Sequence, residues 1–271
     1  NSIAPFLKRY LTFYYNQADL VLCPSRYTKS VLEMGGVKKP IKVISNGIDT
    51  EKFQFSEKKR EKFREEYKID GITPLCVGHL FVRKGIETFV NLAKYFENRF
   101  IWVGRRYRRL EGPLVKKIIN NAPDNITFIN YIEDIVEAYS GTDIFFFPSY
   151  CENQGIVLLE AGACRRPILV RDIEVYRDWL EDGVNCLKAK DDNEFREKLS
   201  QNVYQMLEEL RDFQRLIYRQ KPGKPRRKLI ESDASPIYKL PIFLRENLKA
   251  DLVITSPPYP GIHILYHRWQ V

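Results

Sequence analysis

Cysteine is scarce in this chain and badly arranged for stapling. There are five in 271 residues, at positions 23, 76, 151, 164 and 186. The number is odd and no Cys-x-x-Cys pair occurs, which excludes a disulfide framework and the common zinc modules. No cluster of metal ligands is visible, and a reducing cytoplasm is the simplest setting. No apolar run is long enough to cross a bilayer, and no secretory leader opens the chain. Its first residue is Asn1 rather than methionine, which points to a missing front. What is present is ample core material: 44% apolar residues against 29% charged ones, in a length that suits one or two domains. The net charge of +9 is uneven, with twelve basic and seven acidic residues between positions 206 and 271. Such an excess suits a solvated surface, an anionic membrane or a nucleic acid.

The most informative stretch runs from Asp143 to Arg171. Ile144 to Phe147 is a short aromatic and apolar run, as expected of a strand buried on both faces. Pro148 and Ser149 end it, and a polar loop spans Tyr150 to Gln154. Gly155 then opens a helix carrying Ile156, Val157, Leu158 and Leu159, and Ile168 to Val170 is a second buried strand. Loops at the carboxyl ends of parallel strands are where open α/β sheets bind ligands. The unpaired N–H groups of the helix start favour anions. Glu152 lies in the loop and Glu160 eight residues on, inside the helix. Two acids so placed could grip different parts of an extended ligand whose phosphates rest at the helix end, as in a sugar nucleotide.

This segment resembles the Glu-x7-Glu motif of the family 4 retaining glycosyltransferases, which have the two-domain GT-B fold. Within the family it is most similar to bacterial glucosyltransferases acting on diacylglycerol. The runs Glu152 to Glu160, Val170-Arg-Asp-Ile-Glu-Val-Tyr176 and Trp179-Leu-Glu-Asp-Gly-Val-Asn185 carry that likeness, and the match spans roughly residues 1 to 200. The resemblance implies a hexosyltransferase that uses a nucleotide sugar such as UDP-glucose, without cofactor or metal. It further implies a membrane glycerolipid as acceptor and a place in the cytoplasm or at the inner face of the membrane. Donor contacts would come from His79, Lys84, Tyr131, Ile132, Glu152, Asn153, Gln154, Gly155, Ile156, Val157 and Glu160. Lys84 would hold the pyrophosphate, Glu152 the sugar and Glu160 the ribose. The family shows Gly-Arg five residues before Lys-Gly; here Gly78 is followed by His79. Histidine cannot give the permanent two-pronged contact of arginine, which weakens the implied clamp, and the pattern itself does not put Arg83 in that place.

Taken in order, residues 3 to 17 read as an amphipathic helix. Its stripe of Phe6, Leu7, Tyr10, Leu11, Tyr14 and Tyr15 could pack on a sheet or, with Lys8 and Arg9, meet a lipid interface. Strands are expected at 18–23 and 41–44, and helices at 26–34, 57–67, 86–97 and 132–140. Further strands are expected at 74–78, 100–103 and 126–129, and a long polar helix from 191 to about 219. The alternation between 72 and 188 is that of a doubly wound parallel sheet, an α/β fold. By resemblance, residues 1–52 are a remnant of the acceptor-side domain and 53–205 form the nucleotide-sugar domain. Arg105, Arg106, Arg108 and Arg109 make a basic run that could bind phosphates.

Near residue 220 the character changes. Residues 206–229 end a helix and form a basic, proline-containing linker. Residues 230–271 resemble part of a DNA amino-methyltransferase instead. Asp251 to Thr255 reads as a strand leading into Ser256, Pro257, Pro258 and Tyr259, and Asp233 could match that family's acid near S-adenosylmethionine. No glycine-rich loop for that cofactor is visible, and so short a piece cannot build the methyltransferase fold. This extension is expected to be basic and poorly structured. Two readings remain beside the hexosyltransferase: a methyltransferase fragment acting on DNA with the rest as passenger, and a sugar-nucleotide binder without activity.

Overall fold

A computed structural model describes residues 3–106, 112–200 and 252–254. The linker, Asp233 and Ser256 to Tyr259 lie outside them. The chain divides into two compact units, with a boundary after Ser45.

In the first unit, helix α1 (Ile3–Tyr15) precedes strand β1 (Leu20–Cys23), helix α2 (Arg26–Met34) and strand β2 (Ile41–Val43). Ser25 caps α2, its hydroxyl accepting from the Thr28 amide. Tyr15, Ala18, Val21, Cys23, Leu32 and Val37 form the core, with Leu11 and Ile41 packed on it. A short strand at Leu252–Ile254, β9 in chain order, pairs parallel to β1 on the side away from β2. The strand expected at Asp251 to Thr255 is therefore present in part.

The second unit begins at Asn46. Helix α3 (Glu57–Glu66), strand β3 (Pro74–Val77), a 3-10 turn at Val82–Lys84, helix α4 (Ile86–Ala93), strand β4 (Phe100–Val103) and helix α5 (Pro113–Asn120) make its first half. Strand β5 (Ile126–Ile129), helix α6 (Ile135–Gly141), strand β6 (Ile144–Phe147), helix α7 (Ile156–Ala163), strand β7 (Ile168–Arg171), strand β8 (Leu187–Ala189) and helix α8 (Asp192–Ser200) complete it. The six strands form one parallel sheet in the order β5-β4-β3-β6-β7-β8. Every residue of β4, β6 and β7 is buried, as expected of strands covered on both faces. Phe89 stacks on Phe146 and meets Phe100 and Trp102 edge-on, tying α4 to strands β4 and β6.

Two helices are shorter than the periodicity suggests. Helix α4 stops at Ala93 rather than 97, because the Asn125 side-chain amide takes up the carbonyls of Ala93, Phe96 and Asn98. Helix α6 starts at Ile135 rather than 132, where Asp134 caps it through the Val136 amide. The unit starts before the sequence-based boundary at residue 53. Asn46 bonds Gln154 through both its backbone and side chain, and Phe53 is buried against Tyr139. No helix among the described residues is long and apolar enough to cross a membrane.

Candidate functional site

The strand order turns about β3 and β6: the chain winds outward to β5 from one and to β8 from the other. At such a switch point the loops leaving the two central strands diverge, and a crevice opens at their carboxyl ends. Those loops are Gly78 to Gly85 and Pro148 to Gly155, which carry most of the residues predicted from sequence.

Glycines set the backbone there. A Cβ on Gly104 would fall 1.8 Å from the Gly78 carbonyl oxygen, so the β3 and β4 exits touch backbone to backbone. The Trp102 indole donates to the same carbonyl at 2.7 Å. Gly85, at φ +79°, starts α4 in the left-handed region, and a Cβ there would meet the Pro148 carbonyl oxygen at 2.3 Å. Gly155, at φ +84°, makes the same kind of entry into α7.

On this frame Lys84 and Glu152 come together. The Lys84 ammonium is ion-paired with Glu152 Oε1, which also accepts from the Ser149 hydroxyl at 2.7 Å. Arg83 Nη1 lies 3.9 Å from the same oxygen and donates to the Cys151 carbonyl at 3.3 Å. The Lys84 ammonium sits 5.1 Å from the Phe147 ring centroid. Glu152 is only 7% exposed, so the carboxylate is held inside the loop rather than displayed on it. The side chains assigned to sugar and to pyrophosphate are thus bonded to each other.

Gln154 is also buried, its Oε1 accepting from the Asn46 amide at 3.0 Å and from Asn46 Nδ2 at 2.7 Å. Ile156, by contrast, is 45% exposed at the start of α7, beside N–H groups that point out of the first turn. Val157 and Asn153 are half-buried. Glu160 Oε2 accepts from the Tyr139 hydroxyl of α6 at 2.7 Å. Burial pushes the Glu160 carboxyl up, with the Tyr139 bond and Lys52 pulling the other way. Burial and Glu160 together push the Tyr139 phenol well up. His79 is half-buried at the exit of β3, and burial and the Lys84 charge lower it. Tyr131 and Ile132 lie after β5; Tyr131 is 74% exposed and Ile132 half-buried.

Behind the loop sits a buried arginine. Arg171, at the end of β7, donates from Nε to the Pro148 carbonyl at 3.1 Å and from Nη2 to the Thr88 hydroxyl at 2.8 Å. Its guanidinium lies 4.0 Å from the Tyr150 ring centroid. Arg171, Ser149, Tyr139 and Asn46 are four residues that sequence reasoning did not place at the site. Only Asn46 carried a local signal, its turn chemistry; the others act through contacts distant in sequence. Among the cysteines, Cys76, Cys164 and Cys186 are buried thiols, the last two pushed up to about 12 by burial, so they are poor nucleophiles.

The model of glycosyl transferases group 1 matches residues 72–209, and that of glycosyltransferase family 4 matches residues 1–52. Neither match extends to the methyltransferase-like residues. The chain is 36% identical over 209 residues to a processive diacylglycerol alpha-glucosyltransferase of Acholeplasma laidlawii, covering 75% of this chain and 63% of that protein. It is 26% identical over 196 residues to an alpha-galactosylglucosyldiacylglycerol synthase of Streptococcus pneumoniae, covering 69% and 52%. The chain therefore spans just over half to under two thirds of these relatives. Among solved structures, Anabaena Alr3699/HepE in complex with UDP and glucose superposes with a TM-score of 0.71 at 19% identity, over 78% of this chain and 62% of that one. Sucrose-phosphate synthase from Thermosynechococcus elongatus superposes with a TM-score of 0.65 at 20% identity, over 78% and 57%.

Proposed function

This chain belongs to the glycosyl transferases group 1, and we propose that its second unit binds a nucleotide sugar, UDP-glucose, for transfer of the hexose to a membrane glycerolipid. The observation that carries this reading is the meeting of Lys84, Arg83 and Glu152 beside the α7 N-terminus at the switch point. The diphosphate rests on the first-turn N–H groups at Ile156, with Lys84 balancing its charge. As the bond from the anomeric carbon to the phosphate breaks, negative charge grows on the departing diphosphate. Lys84, the helix start and Arg83 stabilise that charge where it develops. Donor entry requires Lys84 to turn from Glu152 towards phosphate, leaving Glu152 to accept from sugar hydroxyls. Glu160, oriented by Tyr139, accepts from the ribose.

The two relatives are named for diacylglycerol glycolipids, and HepE was solved with UDP and glucose bound. Those names support the donor and acceptor chosen here. The relative of Acholeplasma laidlawii is an alpha-glucosyltransferase. UDP-glucose is itself an α-glucoside, so the same outcome here means retention, with attack on the face the phosphate leaves. The first unit offers a surface suited to a lipid acceptor. Phe6, Tyr10 and Phe13 are exposed on α1, with Lys8 and Arg9 between the first two.

Isothermal titration of the 271-residue chain with UDP-glucose tests the donor assignment. Saturable heat that Lys84→Ala and Glu160→Ala each weaken at least about tenfold supports it. Silence with UDP-glucose, or heat with S-adenosylmethionine instead, overturns it.

A further inference from the structure

Arg171 is buried at the end of β7, a placement that strips a guanidinium of most of its water. Its partners are mostly uncharged. Nε donates to the Pro148 carbonyl at 3.1 Å, Nη1 to the Lys190 carbonyl at 3.1 Å and Nη2 to the Thr88 hydroxyl at 2.8 Å. The half-exposed Asp192 carboxylate lies 3.5 Å away and already accepts from the Thr88 hydroxyl at 2.7 Å. The ring centroids of Tyr150 and Phe195 stand 4.0 and 5.1 Å from the guanidinium carbon. A buried cation so weakly countered is a poor source of stability. What its planar fork supplies is direction, several donors at fixed angles.

Those donors bear on the loop that carries Glu152. The Pro148 carbonyl is held by Arg171 on one side and approached by Gly85 on another, where a Cβ would fall 2.3 Å from it. Tyr150 is the second point of attachment. The Thr88 hydroxyl gives its single proton to Asp192, so its 3.1 Å contact with the Tyr150 hydroxyl is a bond donated by the tyrosine. Arg171 thus fixes Pro148 directly, and Tyr150 both through its ring and through Thr88. Ser149 lies between these two residues, and its hydroxyl donates to Glu152 Oε1 at 2.7 Å. The phosphate side of the crevice is anchored elsewhere. The Lys84 amide closes its own turn on the Phe81 carbonyl, and Asn46 holds Gln154 just before α7.

We propose that Arg171 is a positioning residue that sets where the Glu152 carboxylate meets the transferred sugar. This rests on the donor-site reading above, in which Glu152 accepts from sugar hydroxyls and Lys84 faces the diphosphate. Arg171 acts on the carboxylate through the backbone and side chains of Pro148 to Tyr150. Loosening that stretch costs sugar contacts and spares phosphate contacts.

The ratio of affinities for UDP-glucose and UDP reads this difference, because the two ligands share the diphosphate and differ in the sugar. Both are titrated calorimetrically into the 271-residue chain and its variants. Arg171→Lys keeps the charge and loses the fork. It should shift the ratio against UDP-glucose about tenfold, the loss of a hydrogen bond to a charged group, and leave UDP affinity within about threefold of native. Glu152→Gln should shift the ratio by a similar factor, and the double variant no further, since both changes act on one contact. Tyr150→Leu, altered at an exposed site, should shift the ratio the same way by less, and decides alone if Arg171→Lys does not fold. An unmoved ratio in these variants, equal loss of both ligands, or losses that add in the double variant overturn the proposal while leaving the donor site standing. A ratio that Glu152→Gln leaves at its native value overturns the sugar contact and this proposal together. A native chain that binds neither ligand overturns the donor site as well.

Discussion

Lys84 and Glu152 are interdependent at the level of single residues. Each removes the cost of burying the other, so Lys84→Ala leaves a carboxylate with only the Ser149 hydroxyl and a more distant Arg83. Uncompensated buried charge of this kind costs about 3–5 kcal/mol. Thermal unfolding should therefore show a marked fall in midpoint for Lys84→Ala. The double variant Lys84→Ala, Glu152→Gln should recover most of that stability and none of the donor affinity. Glu160 behaves oppositely. Burial raises its carboxyl in the folded state. The stability this confers is present below the unfolded-state value and lost as pH rises through the folded-state one. Glu160→Gln keeps an acceptor for Tyr139 and removes the charge. At about pH 8, above the usual carboxylate range, it should unfold no lower than the native chain, while UDP-glucose affinity drops about tenfold to a hundredfold. A lowered midpoint at that pH would contradict this account of Glu160.

Between elements, the site depends on how closely strand exits and helix starts approach one another. Gly104→Ala drives a methyl into the Gly78 carbonyl and should either prevent folding or cost several kcal/mol, on the order of severe overpacking. Gly112→Ala meets nothing within 4 Å at an ordinary φ of −64° and should change denaturant midpoints negligibly, within about 0.5 kcal/mol. Much of this layer was legible in sequence. Buried strands stand out as short unbroken runs, such as Phe145-Phe-Phe147. The alternation of runs and periodic helices specified the doubly wound sheet, and the Glu152 to Glu160 spacing located the loop. The two helix ends that differ were set by Asn125 and Asp134. Asn125 terminates a helix more than thirty residues behind it through contacts no local pattern encodes. Arg171 was hidden for a related reason. At the end of a buried strand it is nearly enclosed, and its partners Pro148, Thr88 and Lys190 come from three separate segments.

For the molecule as a whole, two surfaces of different character follow from one basic sequence. The second unit brings Lys84 and Arg83 together on Glu152 before the start of α7, and the first displays aromatic side chains with Lys8 and Arg9 on α1. If that helix meets lipid, the chain should sediment with vesicles rich in phosphatidylglycerol and not with phosphatidylcholine alone. Phe6→Ser with Phe13→Ser should release it, and added salt should weaken it. Retention by phosphatidylcholine, or no effect of the double variant, would contradict the lipid role of α1. The central claim concerns the other unit: a diphosphate anion rests where α7 begins. Amide resonances followed during a UDP-glucose titration test it most directly. The prediction is saturable shifts that are largest at Gly155 and Ile156, with Lys84 and His79 following the same curve. Saturable binding whose shifts cluster elsewhere, leaving those two amides unmoved, would contradict it.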